Sequence, residues 1–176
     1  AAVWQKEKEG KITLTTEQNR LLDRYYKAFI RSGAGLDAGK QNRLREINKE
    51  LSTLAITFSN HVLNENNAYR LVIDNEAELA GLPEWVKTGA AEEAKAVGKE
   101  GKWLFTLQNS SRLPLLQYAD NRELRKDIYE AYINRGNNGD ANDNKEILKK
   151  IISLRLEKAN LLGFDCYSNF VLDENM

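Results

Sequence analysis

From Asp37 to about Asn66 the chain reads as one helix, because Leu44, Ile47, Leu51, Leu54 and Phe58 step by three and four. At 1.5 Å per residue that is a rod of about 45 Å, and its apolar stripe calls for a packing partner. Directly before it, Thr15 and Gln18 have capping-box spacing, and Leu21, Leu22, Tyr25, Tyr26, Phe29 and Ile30 share one face up to Gly33. The expected arrangement is a long antiparallel helical hairpin in which these two helices share one seam.

The period changes at AYRLVI, residues 68–73, which is β-branched and aromatic, and KWLFTL at 102–107 matches it. The two are expected to pair as a small antiparallel sheet. Between them, one short helix should follow Asp74 and another should start with Pro83 in its first turn. Asn109 to Arg112 read as a turn, with Pro114 opening a short helix. Asn121 then caps a helix whose stripe is Leu124, Ile128, Tyr129, Tyr132 and Ile133, ending at Gly136. After the loop NNGDAND, a last long helix starts near Asp143 or Asn144, carries Ile147, Leu148, Ile151, Leu154 and Leu161, and stops at Gly163. A short helix at Ser168 to Glu174 completes a mainly α chain, with expected sub-lobes at 15–67 and 68–176.

Charge narrows the function. Lysine plus arginine equals aspartate plus glutamate at 26 each, so there is no field of one sign to gather nucleic acid or anionic lipid. The 41% hydrophobic and 30% charged content suits a folded globular chain, and no run reaches the roughly 20 apolar residues of a membrane span. Cys166, as the only cysteine, excludes an internal disulfide. It reads as a small core residue beside Phe164 and Tyr167. Ala1 stands where a methionine would, and FVLDENM stops in mid-pattern, so both ends are expected to be cut.

An HExxH zinc helix needs two histidines one turn apart, and this chain has only His61, three residues beyond Phe58. His61 is therefore expected to be a packed or hydrogen-bonded helix residue. The pairs Glu7 with Glu9, Glu76 with Glu78, Glu92 with Glu93, and Asp140 with Asp143 read as solvated or matched to cations, as Glu46 is with Lys49. The loop from Gly136 to Asn144 has the Asp and Asn content of a calcium loop without its glycine and glutamate in register. It reads instead as a glycine-rich entry to a capped helix. No P-loop, GxGxxG turn or GxSxG elbow occurs. The residues by themselves assign no catalytic, cofactor-binding or metal-binding position.

Several stretches nevertheless resemble one family in its order. They are REINKELSTLAITFSNHVL at 45–63, DNEAELAGLP at 74–83, WLFTLQNSS at 103–111, YADNRELRKDIYEAYINRG at 118–136, NDNKEILKKIISLRLEKANLLGF at 142–164 and YSNFVLDENM at 167–176. They are similar to the thimet-oligopeptidase-like zinc metallopeptidases, and DANDN leans toward the bacterial peptidyl-dipeptidase branch. The resemblance implies a parent enzyme that hydrolyses short peptides with a zinc-bound water, its HExxH helix lying beyond Met176. This chain would then be a non-catalytic wall of the substrate channel, with the rest of the polypeptide as its partner. The Asn109–Arg112 and Asn137–Asn142 loops are expected at the rim. A cytoplasmic location is expected, with a periplasmic one left open. The rival reading is a non-enzymatic helical interaction domain that binds a partner through an exposed apolar face.

Overall fold

The computed structural model describes residues 2–175. Their order is α1 (Ala2–Lys8), α2 (Thr16–Arg31), α3 (Ala38–Ala68), β1 (Leu71–Ile73), a 3₁₀ turn (Glu76–Leu79), α4 (Glu84–Ala96), β2 (Trp103–Phe105), α5 (Asn109–Tyr118), α6 (Arg122–Ile133), α7 (Lys145–Leu161) and α8 (Tyr167–Leu172). The fold is mainly α with one two-stranded antiparallel sheet, as the periodicities predict. Two compact units form, one from residues up to 54 together with those from 149 onward, the other from 55 to 148. The boundary cuts α3 after Leu54 and α7 after Leu148, so the units differ from the expected sub-lobes at 15–67 and 68–176. The physical reason is that both long helices run on without a break where the packing changes.

In the first unit, α2 begins with the predicted reciprocal capping box between Thr15 and Gln18. Its apolar residues find a different neighbour from the one expected. The Trp4 ring of α1 stacks on Tyr26 at 4.0 Å, and its Nε1 donates to Asp23. Leu21, Tyr25 and Phe29 stay exposed. The polar bonds of α3 here run to α7: Arg43 grips Glu157 through Nε at 2.6 Å and Nη2 at 2.8 Å, Lys158 donates to Asn48, and Lys150 pairs with Glu50. From the Arg43–Glu157 pair to the Glu50–Lys150 pair the residue numbers rise on α3 and fall on α7, so α7 is the antiparallel partner of this half of α3. Leu44 and Ile47 of α3 and Ile151, Leu154 and Ala159 of α7 are the buried residues. The seam was therefore correctly placed on α3 but assigned to the wrong helix, since periodicity gives a face and not what covers it. Glu46 likewise pairs with Arg43 rather than Lys49. At the other end Arg31 ties α2 to α8, donating to the Phe170 carbonyl at 2.7 Å and pairing with Asp173 and Glu174.

In the second unit, β1 and β2 pair with Leu71 opposite Phe105 and Ile73 opposite Trp103. Their inner side joins α4, α5 and α6 around Ile73, Leu79, Val86, Phe105, Leu115 and Ile128. Pro83 is the N-cap of α4 rather than a residue of its first turn. Two expectations for α6 differ in detail: Leu124 and Ile128 are buried, whereas Tyr129 and Ile133 are exposed. The largest difference is α5, which starts at Asn109 and contains Pro114, where a turn followed by a proline-opened helix is expected. Burial of Leu115, with no exposed surface, anchors α5 in the core. That tertiary contact overrides the local cost of a proline within a helix.

Candidate functional site

His61 sits on α3 and is half-buried. Its Nδ1 lies 3.0 Å from Asn144 Oδ1, while Asn144 Nδ2 donates to the Phe58 carbonyl at 3.1 Å. Because the asparagine's NH₂ is directed at a carbonyl, its oxygen is the acceptor and His61 Nδ1 carries the proton. Asn144 is itself 4% exposed and also donates its backbone N–H to Gly136. The histidine is thus part of a structural clasp. Cys166 is half-exposed at the start of α8, with no side-chain capping bond, and is not the core residue expected. Its neighbours Phe164 and Tyr167 instead turn toward Phe170.

The loop from Gly136 to Asn144 caps α7 with its acids. Asp143 accepts from the backbone N–H groups of Gly139 at 2.7 Å and Lys145 at 2.9 Å, and Asp140 accepts from that of Asn142. The Lys145 ammonium first, and then the two backbone N–H groups, hold the Asp143 carboxyl down at about 2. A lowered folded value means that this contribution to stability is complete above the ordinary carboxylate range and is lost as pH falls through about 2. A carbon-detected NMR titration should therefore find the Asp143 midpoint near 2, moving up in Lys145→Met; a midpoint near 4 in the parent chain would contradict these bonds.

A different cluster forms an open cavity of about 460 Å³ in the second unit. It is walled by Ser59, Val62, Leu63 and Asn66 of α3, by Leu107, Gln108 and Asn109, and by Tyr132 and Arg135. Tyr132 lies between two guanidinium groups, Arg112 at 3.5 Å and Arg135 at 3.8 Å from its ring centroid. Two guanidinium carbons that close would collide on one face, so they take opposite faces. Arg112 is 8% exposed, donates from Nη2 to Asn109 Oδ1 at 2.7 Å, and has a buried Nε without a partner. Arg135 donates from Nε to the Tyr132 carbonyl and from Nη1 to Asn66 Oδ1. Among the described residues neither guanidinium is paired with a carboxylate. Glu65, with one oxygen buried and unpartnered, directs the other to Gly136 N and Asn138 Nδ2.

Sequence reasoning placed Tyr132 only in a core stripe, took Arg112 as the end of a rim loop without a role for its charge, and overlooked Arg135. One signal was present: neither Arg112 nor Arg135 has an acid three or four residues away in the chain. Of the two loops expected at a rim, Asn109 does line this cavity, though from the first turn of a helix, while residues 137–142 do not.

The donors of a catalytic zinc are not assembled by these residues. One imidazole is present, its Nδ1 is bound to Asn144, and no group of three His, Cys, Asp or Glu side chains among the described residues converges on a point. No step of metal chemistry is therefore derived from this chain. No helix among the described residues is long and apolar enough to cross a membrane.

Comparison with known proteins supplies the relationship. Residues 115–176 match Peptidase family M3. Oligopeptidase A of Haemophilus influenzae is 40% identical over 163 residues, covering 90% of this chain and 24% of that protein. Dipeptidyl carboxypeptidase of Escherichia coli is 32% identical over 175 residues, covering 99% of this chain and 25% of that protein. Saccharolysin of Saccharomyces cerevisiae is 29% identical over 178 residues and is likewise matched over 24% of its length. The chain spans about a quarter of the length of the curated relatives it matches. With matches along nearly its whole length, the chain belongs to peptidase family M3, the thimet-oligopeptidase-like metallopeptidases.

Proposed function

We propose that this chain is a non-catalytic helical part of a zinc metallopeptidase that cuts short oligopeptides, and that it forms part of the wall of the channel admitting them. The observation that carries this reading is the similarity, over 90% of this chain, to a protein named oligopeptidase A, at a higher identity than to dipeptidyl carboxypeptidase. Internal cleavage is accordingly favoured over release of C-terminal dipeptides. The donor set supports a division of labour, since the one histidine is held in a structural clasp and the zinc ligands would then come from elsewhere in the polypeptide. Exposed apolar positions repeat along α7 at Leu148, Ile152 and Leu156, as expected of a face covered by more of the same polypeptide. Zinc would be held by that other part, and short peptides would be its substrates. The compartment proposed is the cytoplasm, in line with the printed name of one relative, the probable cytosolic oligopeptidase A of Arabidopsis thaliana.

Metal binding tests the division of labour. Equilibrium dialysis of the 176-residue chain against zinc, followed by elemental analysis, should find no stoichiometric ion. One tightly held zinc per chain, lost in His61→Ala, would defeat the reading.

A further inference from the structure

We propose that the cavity flanked by Tyr132 and Arg135 binds the free C-terminal carboxylate of a peptide whose last side chain is apolar. The choice of a peptide as carrier of the carboxylate rests on the family reading above; the anion preference rests on the geometry alone. Three features set it. First, Arg112, which does not itself line the cavity, sets a buried guanidinium without a carboxylate partner against one face of Tyr132, adding positive potential behind the ring. Second, Asn66 and Asn109 each commit the side-chain oxygen to a guanidinium, so each has its NH₂ left to donate into the cavity it lines. Together with Nη2 of Arg135, these donors match the two oxygens of a carboxylate. Third, Val62, Leu63 and Leu107 share the same walls, giving an apolar side chain a surface next to the anion. In this scheme Arg135, Asn66 and Asn109 touch the ligand, and Arg112 acts through Tyr132 as a positioning residue.

The test titrates the 176-residue chain, without any catalytic step, with three probes. They are N-acetyl-Gly-Gly-Leu with a free acid, the same peptide as its C-terminal amide, and N-acetyl-Gly-Asp-Gly amide, whose only carboxylate is on a side chain. Proton–nitrogen NMR follows the Asn66 and Asn109 side-chain amides and the Arg135 Nε–H. The free acid should bind about tenfold more tightly than the leucine amide, the equivalent of one charge-assisted hydrogen bond. Arg135→Gln should remove that preference, bringing the acid and amide affinities together. Arg135→Lys, which keeps the charge, should fall between the two. A proton–nitrogen spectrum with the parent's dispersion in each variant guards against reading misfolding as lost affinity. Equal binding of acid and amide would overturn the proposal. So would the aspartate probe binding as tightly as the leucine acid, or an unaltered preference in folded Arg135→Gln. Because no hydrolysis is measured, these failures leave the peptidase reading standing, and an inactive complete polypeptide would leave the binding result standing.

Discussion

Replacing Phe105 with alanine is expected to lower the unfolding free energy of the second unit by about 3–5 kcal/mol, the range for deleting a fully buried phenylalanine. Phe105 is 1% exposed and ends β2 opposite Leu71, in the core that Ile73, Leu79, Leu115 and Ile128 complete. Its removal cancels the transfer of a large ring out of water and leaves a hole that the sheet, α4 and α5 would all have to move to fill. The matching control is Ile152→Ala, also a large apolar residue but 58% exposed, for which the change should stay within about 0.5 kcal/mol. Urea unfolding with an unchanged slope measures both. A loss under about 1 kcal/mol for Phe105→Ala would mean that the core is centred elsewhere.

The second large effect concerns backbone. Gly81 has φ +83, and a Cβ built on it would lie 2.3 Å from the Tyr118 carbonyl oxygen and 2.8 Å from the Asp120 side chain. The two segments cannot simply part, because Asp120 donates its N–H to Ala80 at 2.8 Å. Gly81→Ala is therefore expected to cost about 3 kcal/mol, combining left-handed strain of about 1–2 kcal/mol with a backbone clash. Gly139 isolates the first part: its φ is +71, but nothing lies within 4 Å of its added Cβ. Gly139→Ala should cost only about 1 kcal/mol. Equal losses in thermal melts of the two variants would show that the contact between Gly81 and the α5–α6 junction is not tight.

The residues that could be read locally are those whose signal is local. Thr15 with Gln18 and Asn121 cap their helices as their spacing predicts, and the two short strands pair as their composition predicts. What failed depended on partners distant in the chain. The face of α3 was legible at Leu44 and Ile47, but its neighbour α7 lies some hundred residues away and leaves no mark in the period of α3. α1, unassigned in the sequence, has seven residues and would be marginal alone; the stack of Trp4 on Tyr26 holds it to α2. Pro114 obscured α5 for the opposite reason, since a strong local breaker was outweighed by the burial of Leu115.

The candidate site shows the same limit more sharply. Arg112 and Tyr132 are twenty residues apart on different helices, and only packing reveals that they stack. The family, by contrast, was recoverable from the segments themselves, because their order survives where no catalytic motif is present.

As proposed above, this chain supports peptide hydrolysis without performing it. The most direct measurement is a peptidase assay on an internally quenched fluorescent peptide, run with the purified 176-residue chain and with the complete polypeptide that contains it, each with and without a zinc chelator. The account predicts chelator-sensitive cleavage by the complete polypeptide and none by the chain alone. Chelator-sensitive cleavage by the chain itself, or a complete polypeptide that is folded and inert, would contradict it.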